Sequence, residues 1–264
     1  MKRVLILLIL SVFTCFLACA NNGMQSTGDS EKIENNTQSA KEMLFEVIEK
    51  IENAESFYTV SEGETKSFGI TQTISAKRVV IGENVFKQSV SCSALVKTAE
   101  QTYVKDGKYL LRKGEEVKSV SKVTWKNCVT EIDKEEYLER YGAVITGLNN
   151  YVLNEQTVLS VEKEDTEKGY LLKVTADSVG STVNIVKEMK TNANSTEFPT
   201  FESVYMELSV DKNLQVISVT YKGKYKVKIA VLGEVDCEEN MTETFYGIDQ
   251  TTSFDEEEFF NSYL

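Results

Sequence analysis

The sequence predicts an α+β protein: a large curved antiparallel β-sheet of about nine to eleven strands, with about three helices packed on one face. Two observations carry this reading. Apolar residues recur with a period of 2 over most of the chain and with a period of 3.6 in only three places. Short turn-forming sequences separate the period-2 runs, and clean apolar–polar alternation between tight turns means antiparallel pairing with one buried face.

The first helix is read from a capping box, Ser39 with Glu42 three residues on, followed by the stripe Leu44, Val47, Ile48 and Ile51, and it should end near Ala54. A second begins with the same device at Asp133 and Glu136. Its stripe is Tyr137, Leu138, Tyr141, Val144, Ile145 and Leu148, weakened by Gly142 and Gly147. A third runs roughly from Val179 to Lys190, with Val183, Val186 and Met189 on one face. Alternation marks the strands at Val90-Cys92-Ala94-Val96, Tyr170-Leu172-Val174-Ala176, Val204-Met206-Leu208-Val210 and Tyr225-Val227-Ile229-Val231. Asp106-Gly107, between Tyr103-Val104 and Tyr109-Leu110, is a strong hairpin signal. Lys113-Gly114, Lys168-Gly169, Asp211-Lys212-Asn213 and Lys222-Gly223 are read as the other turns.

Composition narrows the chemistry. The 264 residues include 29 Lys and Arg, 41 Asp and Glu, and no His. Without His there is no Ser-His-Asp triad, no Cys-His pair and no His-ligated metal. The net charge of −12 argues against nucleic acid as a partner, because phosphate binding draws on Lys and Arg. No nucleophile elbow, phosphate-binding loop or dinucleotide fingerprint is present. No catalytic residue, metal ligand or cofactor is expected, and no ligand-binding residue can be named from a motif. A non-enzymatic protein is the expectation.

The N-terminus reads as an export signal. Lys2 and Arg3 precede an apolar run from Val4 to Leu17, too short and wrongly flanked for a comfortable membrane span. It closes on Phe16-Leu17-Ala18-Cys19, followed by the polar Ala20-Asn21-Asn22-Gly23. These residues resemble the signal of bacterial membrane-anchored lipoproteins, with Phe16 standing where Leu is usual. Cys15, between Thr14 and Phe16, fits worse. The resemblance implies cleavage after residue 18, lipidation of Cys19 and an extracytoplasmic protein held to the bacterial membrane by its N-terminal lipid. A single acyl chain anchors only marginally, so the implied diacylglycerol matters. The remaining 246 residues would carry 27 basic and 41 acidic groups, a charge of −14 that anionic headgroups repel. Residues 20–37 have tether composition and, as a flexible coil, span about 24 Å. The expected organisation is signal peptide 1–18, lipidated Cys19 and tether 19–37, and a single domain 38–264.

The order helix, strands, helix, two strands, helix, four strands resembles the LolA-like lipoprotein-carrier group, over nearly the whole span from Ser39 to about Tyr246. That resemblance is one of layout and carries no site residue across. It implies a cavity between sheet and helices for a lipid or other hydrophobic ligand. The alternative is a structural or interaction lipoprotein with a packed core and an envelope protein as partner.

Cys92, Cys128 and Cys237 allow at most one disulfide, and the sequence leaves all three pairings open. Cys92 reads as a small buried hydrophobe. Glu162, Glu164, Asp165 and Glu167 crowd a hairpin tip, and Asp255 to Glu258 precede Phe259-Phe260. Neither run has calcium-loop spacing, so both read as solvated faces. Phe259, Phe260, Tyr263 and Leu264 are read as docking on the body.

Overall fold

In the computed structural model, residues 30–94, 97–193, 197–229 and 233–250 are described. The signal segment, Cys19, the start of the tether and the acidic and aromatic C-terminus lie outside these. The order of elements is α1 (Ser30–Glu52), β1 (Ser56–Ser67), β2 (Ile70–Ile81), β3 (Asn84–Cys92), β4 (Lys97–Lys105), β5 (Lys108–Ser119), β6 (Lys122–Ile132), α2 (Lys134–Tyr141), β7 (Val158–Asp165), β8 (Gly169–Ala176), α3 (Ile185–Ala193), β9 (Thr200–Asp211), β10 (Val216–Ile229) and β11 (Gly233–Tyr246). The eleven strands form one antiparallel sheet in the order β6-β5-β4-β3-β2-β1-β11-β10-β9-β8-β7. Two meanders thus meet where the first strand pairs with the last, Tyr58 opposite Tyr246 through Lys66 opposite Glu238. The α+β architecture with a curved open sheet is as the period-2 pattern requires. Among the described residues no helix is long and apolar enough to cross a membrane.

Turn chemistry sets much of the register. Phe68-Gly69 and Asp106-Gly107 each place two consecutive residues at positive φ, the backbone that a two-residue hairpin between right-twisted strands requires. Lys168-Gly169 and Asp211-Lys212-Asn213 also lie at strand junctions. Two expected turns do not form. Lys222-Gly223 sits inside β10, where Lys222, Lys224, Lys226 and Lys228 point out at every second residue and pair with Glu207, Glu238, Glu202 and Glu197. Gly223 lets the Phe201 ring pack close, since a Cβ there would come within 3.1 Å of it and the ring would have to give way slightly. Lys113-Gly114 lies within β5 at an irregular stretch of its ladder, and a Cβ on Gly114 would stand 2.8 Å from Ala99 Cβ. Three strands therefore follow α3, one fewer than expected. β3 ends at Cys92, so Ala94 falls beyond the alternating run.

The helices shift as well. α1 begins at Ser30, upstream of Ser39, so Ser39 is interior to the helix and does not cap it. No Gly or Pro interrupts residues 30–52, and Glu and Lys there sustain the helix. The Asp133 cap is present: its carboxylate accepts from the Glu136 backbone N–H at 2.7 Å. That helix stops at Gly142 (φ 81°), so Val144, Ile145 and Leu148 belong to an irregular segment. α3 starts at Ile185; ahead of it, Asp177 holds a run of turns through bonds to the Val179 and Gly180 amides.

The core has two main parts on the helix-bearing side. Leu44, Val47 and Ile51 of α1 pack with Leu172, Val174, Met206, Leu208 and Val219. Tyr137 and Tyr141 of α2 pack on Val104, Tyr109, Leu111 and Ile132. A smaller cluster, Phe86, Tyr103, Leu110 and Val129, covers the opposite face of β3–β6. Cys92, Cys128 and Cys237 are free thiols on three different strands, half-buried, exposed and buried respectively. The Glu162–Glu167 tip is exposed apart from the half-buried Lys163. Leu44 is wholly buried, and Leu159 is 63% exposed. Leu44→Ala is therefore expected to destabilise by about 2–5 kcal/mol and Leu159→Ala by about 0.5 kcal/mol or less, read from urea unfolding curves.

Candidate functional site

Along the middle strands the inward positions carry unusually small side chains. β1 presents Ser61, Gly63 and Thr65, β2 presents Ala76 and β3 presents Ser89 and Ser91. β9 and β10, by contrast, fill their inward positions with Met206, Leu208, Tyr221 and Tyr225. The helices and the irregular segment after α2 bridge over the small-residue floor without filling it. The result is a cavity of about 790 Å³ with mainly apolar walls. Ile74, Ile145, Met189 and Met241 supply aliphatic and thioether surface, and Tyr151, Tyr221 and Tyr225 an aromatic wall. The Tyr151 ring stacks on Tyr221 (centroids 5.7 Å apart, planes at 12°) and meets Phe201 edge-on. Phe68, 64% exposed, marks the mouth, together with Lys228.

The closed end is a buried ion pair. Arg78 on β2 and Glu243 on β11 flank the central β1, with Arg78 Nη2 2.9 Å from Glu243 Oε1. The guanidinium also donates to the carbonyls of Ile145 (3.0 Å), Gly147 (2.7 Å) and Leu148 (2.8 Å). It lies 5.3 Å from the Phe57 ring centroid, and the Tyr221 hydroxyl donates to Glu243 Oε2 at 3.1 Å. This fastens the segment after α2 across the sheet. A second polar hub fastens α3. Glu188 accepts from Lys87 Nζ at 2.5 Å and from Asn150 Nδ2 at 3.0 Å, and the same amide donates to the Tyr141 carbonyl at 2.7 Å. Beside it, the Tyr141 hydroxyl donates to Glu100 at 2.5 Å; burial raises the Glu100 carboxyl above its ordinary range, opposed by that bond. Burial likewise raises the Tyr151, Tyr221 and Tyr225 hydroxyls far out of the physiological range, so these rings stay neutral.

One cavity carboxyl stands apart. β11 turns Val235, Cys237, Glu239, Met241, Glu243 and Phe245 inward, and Glu239 lies opposite Thr65 on one side and Gly223 on the other. It has no ion-pair or hydrogen-bond partner among the described residues. Desolvation first, and the Glu188 carboxylate second, push its pKa up to about 7. Because its folded pKa is raised, the folded state holds this proton more tightly than the unfolded chain, and the associated stability is lost as pH rises through 7.

Neither wall nor hub was legible as a site in the sequence. The available signals were Glu239 and Glu243 breaking an apolar period-2 run, and Ser, Thr, Gly and Ala recurring at inward positions of β1–β3. Cys19 lies outside the described residues, and no group of three or more Cys, Asp or Glu among the described residues is placed to hold a metal ion.

An open antiparallel sheet roofed by helices over an apolar cavity defines the class to which this α+β chain is assigned on its own geometry. No protein-family model matches the chain, and neither does any curated protein. Among solved structures it is similar to a DUF1329 family protein from Desulfovibrio piger, with 10% identity, 87% of this chain and 99% of that one covered, and a TM-score of 0.33. It is similar also to an outer membrane lipoprotein-sorting protein domain from Vibrio parahaemolyticus (10% identity; 83% and 96% covered; TM-score 0.28) and to a LolA superfamily protein from Nitrosomonas europaea (10%; 81% and 96%; 0.26). These superpositions are loose, and the properties of those proteins stay with them.

The Arg78–Glu243 pair gives a direct test. Arg78→Met alone should cost about 3–5 kcal/mol, because it leaves Glu243 charged and buried. Arg78→Met with Glu243→Leu should cost clearly less than the sum of the two single changes in a double-mutant cycle of unfolding free energies.

Proposed function

We propose that the chain is an exported binding protein, held to a bacterial membrane on its outer side by lipid on Cys19, and that its cavity takes one amphiphilic or hydrophobic ligand. It acts by binding and has no catalytic role. The observation that carries this reading is the cavity itself. At about 790 Å³ it falls within the roughly 300–1,000 Å³ range of small-molecule sites, and the surface it exposes is mainly apolar, although small polar side chains and several charged ones also line it. Apolar area removed from water contributes about 25 cal/mol per Å², so a hydrocarbon chain entering here gains affinity without needing a directional partner. The alternative of a packed structural core is disfavoured by the small inward residues of β1–β3, which leave the centre unfilled.

Ligand uptake is tested on the purified, delipidated chain by native mass spectrometry and by displacement of a fluorescent hydrophobic probe. One ligand per chain is expected. Ser89→Phe, which places a ring in the open volume, should lower probe affinity about ten-fold or more while leaving the unfolding midpoint nearly unchanged. A parent chain that takes up neither probe nor any native lipid would refute the binding role. The anchor is tested separately: Cys19→Ala should move the protein from the membrane pellet to the soluble fraction or leave it as uncleaved precursor. Unchanged fractionation and processing would refute lipidation.

A further inference from the structure

Most of the charges that line the cavity are held in ion pairs, and Glu239 is the acid that is not. Arg78 is paired with Glu243, and Lys87 with Glu188. At the mouth Lys228 is paired with Glu197, and Lys77 is exposed. That leaves Glu239 on the wall, facing Tyr225 of β10, Tyr151 of the segment after α2, Glu188 of α3 and Cys237 of its own strand, none of which offers it a positive charge. Gly223, its cross-strand neighbour on β10, has no side chain to offer. A second acceptor is also left over: Asn150 Oδ1, on the same wall and in a residue only 4% exposed, has no hydrogen-bond partner. The one buried donor without a bond on this wall, Asn149 Nδ2, belongs to a residue that neighbours the Tyr221 hydroxyl. The wall therefore presents one acid without a countercharge, together with one unmet acceptor and one unmet donor on neighbouring residues.

Resting on the binding role proposed above, we infer that the ligand is a cationic amphiphile: a single hydrocarbon chain whose ammonium group pairs with the Glu239 carboxylate inside the cavity. Position along the strand fits this assignment. Glu239 stands four residues from Glu243, roughly 13 Å along β11, so it lies between the closed end and the mouth. Met241, Ile74, Ile145 and Met189 furnish an apolar wall for the chain. An unpaired carboxylate in such surroundings is costly, and a charge-assisted bond to an incoming N–H removes that cost. A fatty acid would instead bring a second negative charge to the same place.

Binding of this kind is coupled to protons. Below its pKa of about 7 Glu239 is neutral and must lose a proton before pairing, so affinity for an ammonium ligand rises with pH and levels off above 7. Two units below that midpoint, only about one carboxyl in a hundred is ionised, which makes the ligand about 100-fold weaker at pH 5 than on the plateau.

Decylamine, decanol and decanoate, which share a chain length and differ only in the head group, are titrated by calorimetry into the delipidated full chain from pH 5 to pH 8.5. Decylamine should bind about ten-fold or more tighter than decanol at pH 8 and should lose that advantage at pH 5, with decanoate weakest at pH 8. Glu239→Gln, which removes a half-buried, unpaired charge and should fold at least as well as the parent at pH 8, should bring the amine-to-alcohol affinity ratio close to one and abolish its pH slope. Decanol binding with no preference for the amine at any pH, a preference for decanoate, or an amine preference that survives Glu239→Gln would overturn the cationic head group and leave the binding role standing. Failure of all three to bind would overturn both.

Discussion

The guanidinium of Arg78 is the constraint from which the rest of the site follows. It is only 4% exposed, and removing such a charge from water costs several kcal/mol unless its donors are all met. Here it meets one carboxylate and three backbone carbonyls. The carboxylate belongs to β11 and the guanidinium to β2, so the pair reaches across β1, the strand at which the two meanders join. The carbonyls belong to the chain leaving α2. One side chain therefore clamps the seam of the sheet and pins the segment that roofs it. That segment carries Asn149, Asn150 and Tyr151, and through Asn150 the clamp continues to Glu188 and Lys87. The roof is thus held at its edges by polar bonds, and its middle need not be packed.

This division of labour explains how a hollow protein remains stable. Apolar burial is concentrated beneath α1 and α2, where Leu, Val, Met and Tyr fill the layers. The floor between them is built of Ser, Thr, Gly and Ala. Unfilled core volume costs about 24 cal/mol per Å³, so treating 790 Å³ as a dry packing defect would cost on the order of 19 kcal/mol, more than the roughly 5–15 kcal/mol by which a domain is stable. A void of that size is therefore a compartment reached through a mouth, with solvent or ligand inside. Its single unpaired acid then acquires meaning, because the other acids on the wall, Glu188 and Glu243, already have cationic partners.

The outer face follows simpler rules. Lysines at alternate positions of β10 face glutamates on β9 and β11, and these exposed pairs are each worth about 0–1 kcal/mol. They set solubility and register more than stability. The same Lys repeat shows why Lys222-Gly223 reads falsely as a turn: Gly223 sits in the middle of β10 beneath the Phe201 ring, a close approach that only the neighbouring strand creates.

What could be read in advance was whatever depends on near neighbours in the chain. Period-2 alternation sufficed for the antiparallel sheet, Asp106-Gly107 for its hairpin and Asp133 with Glu136 for the start of α2, because pleat, turn and cap are fixed within a few residues. The absence of His and the apolar stretch before Cys19 likewise follow from local composition. The pairing of β1 with β11, the meeting of Arg78 with Glu243 across it and the isolation of Glu239 join residues distant in the chain, Arg78 and Glu243 being 165 positions apart and the paired residues of β1 and β11 farther still. Nothing in the local pattern at either end announces the partner. Whether an inward Ser closes a core or floors a cavity is decided by what lies opposite it, and that is a property of the folded chain alone.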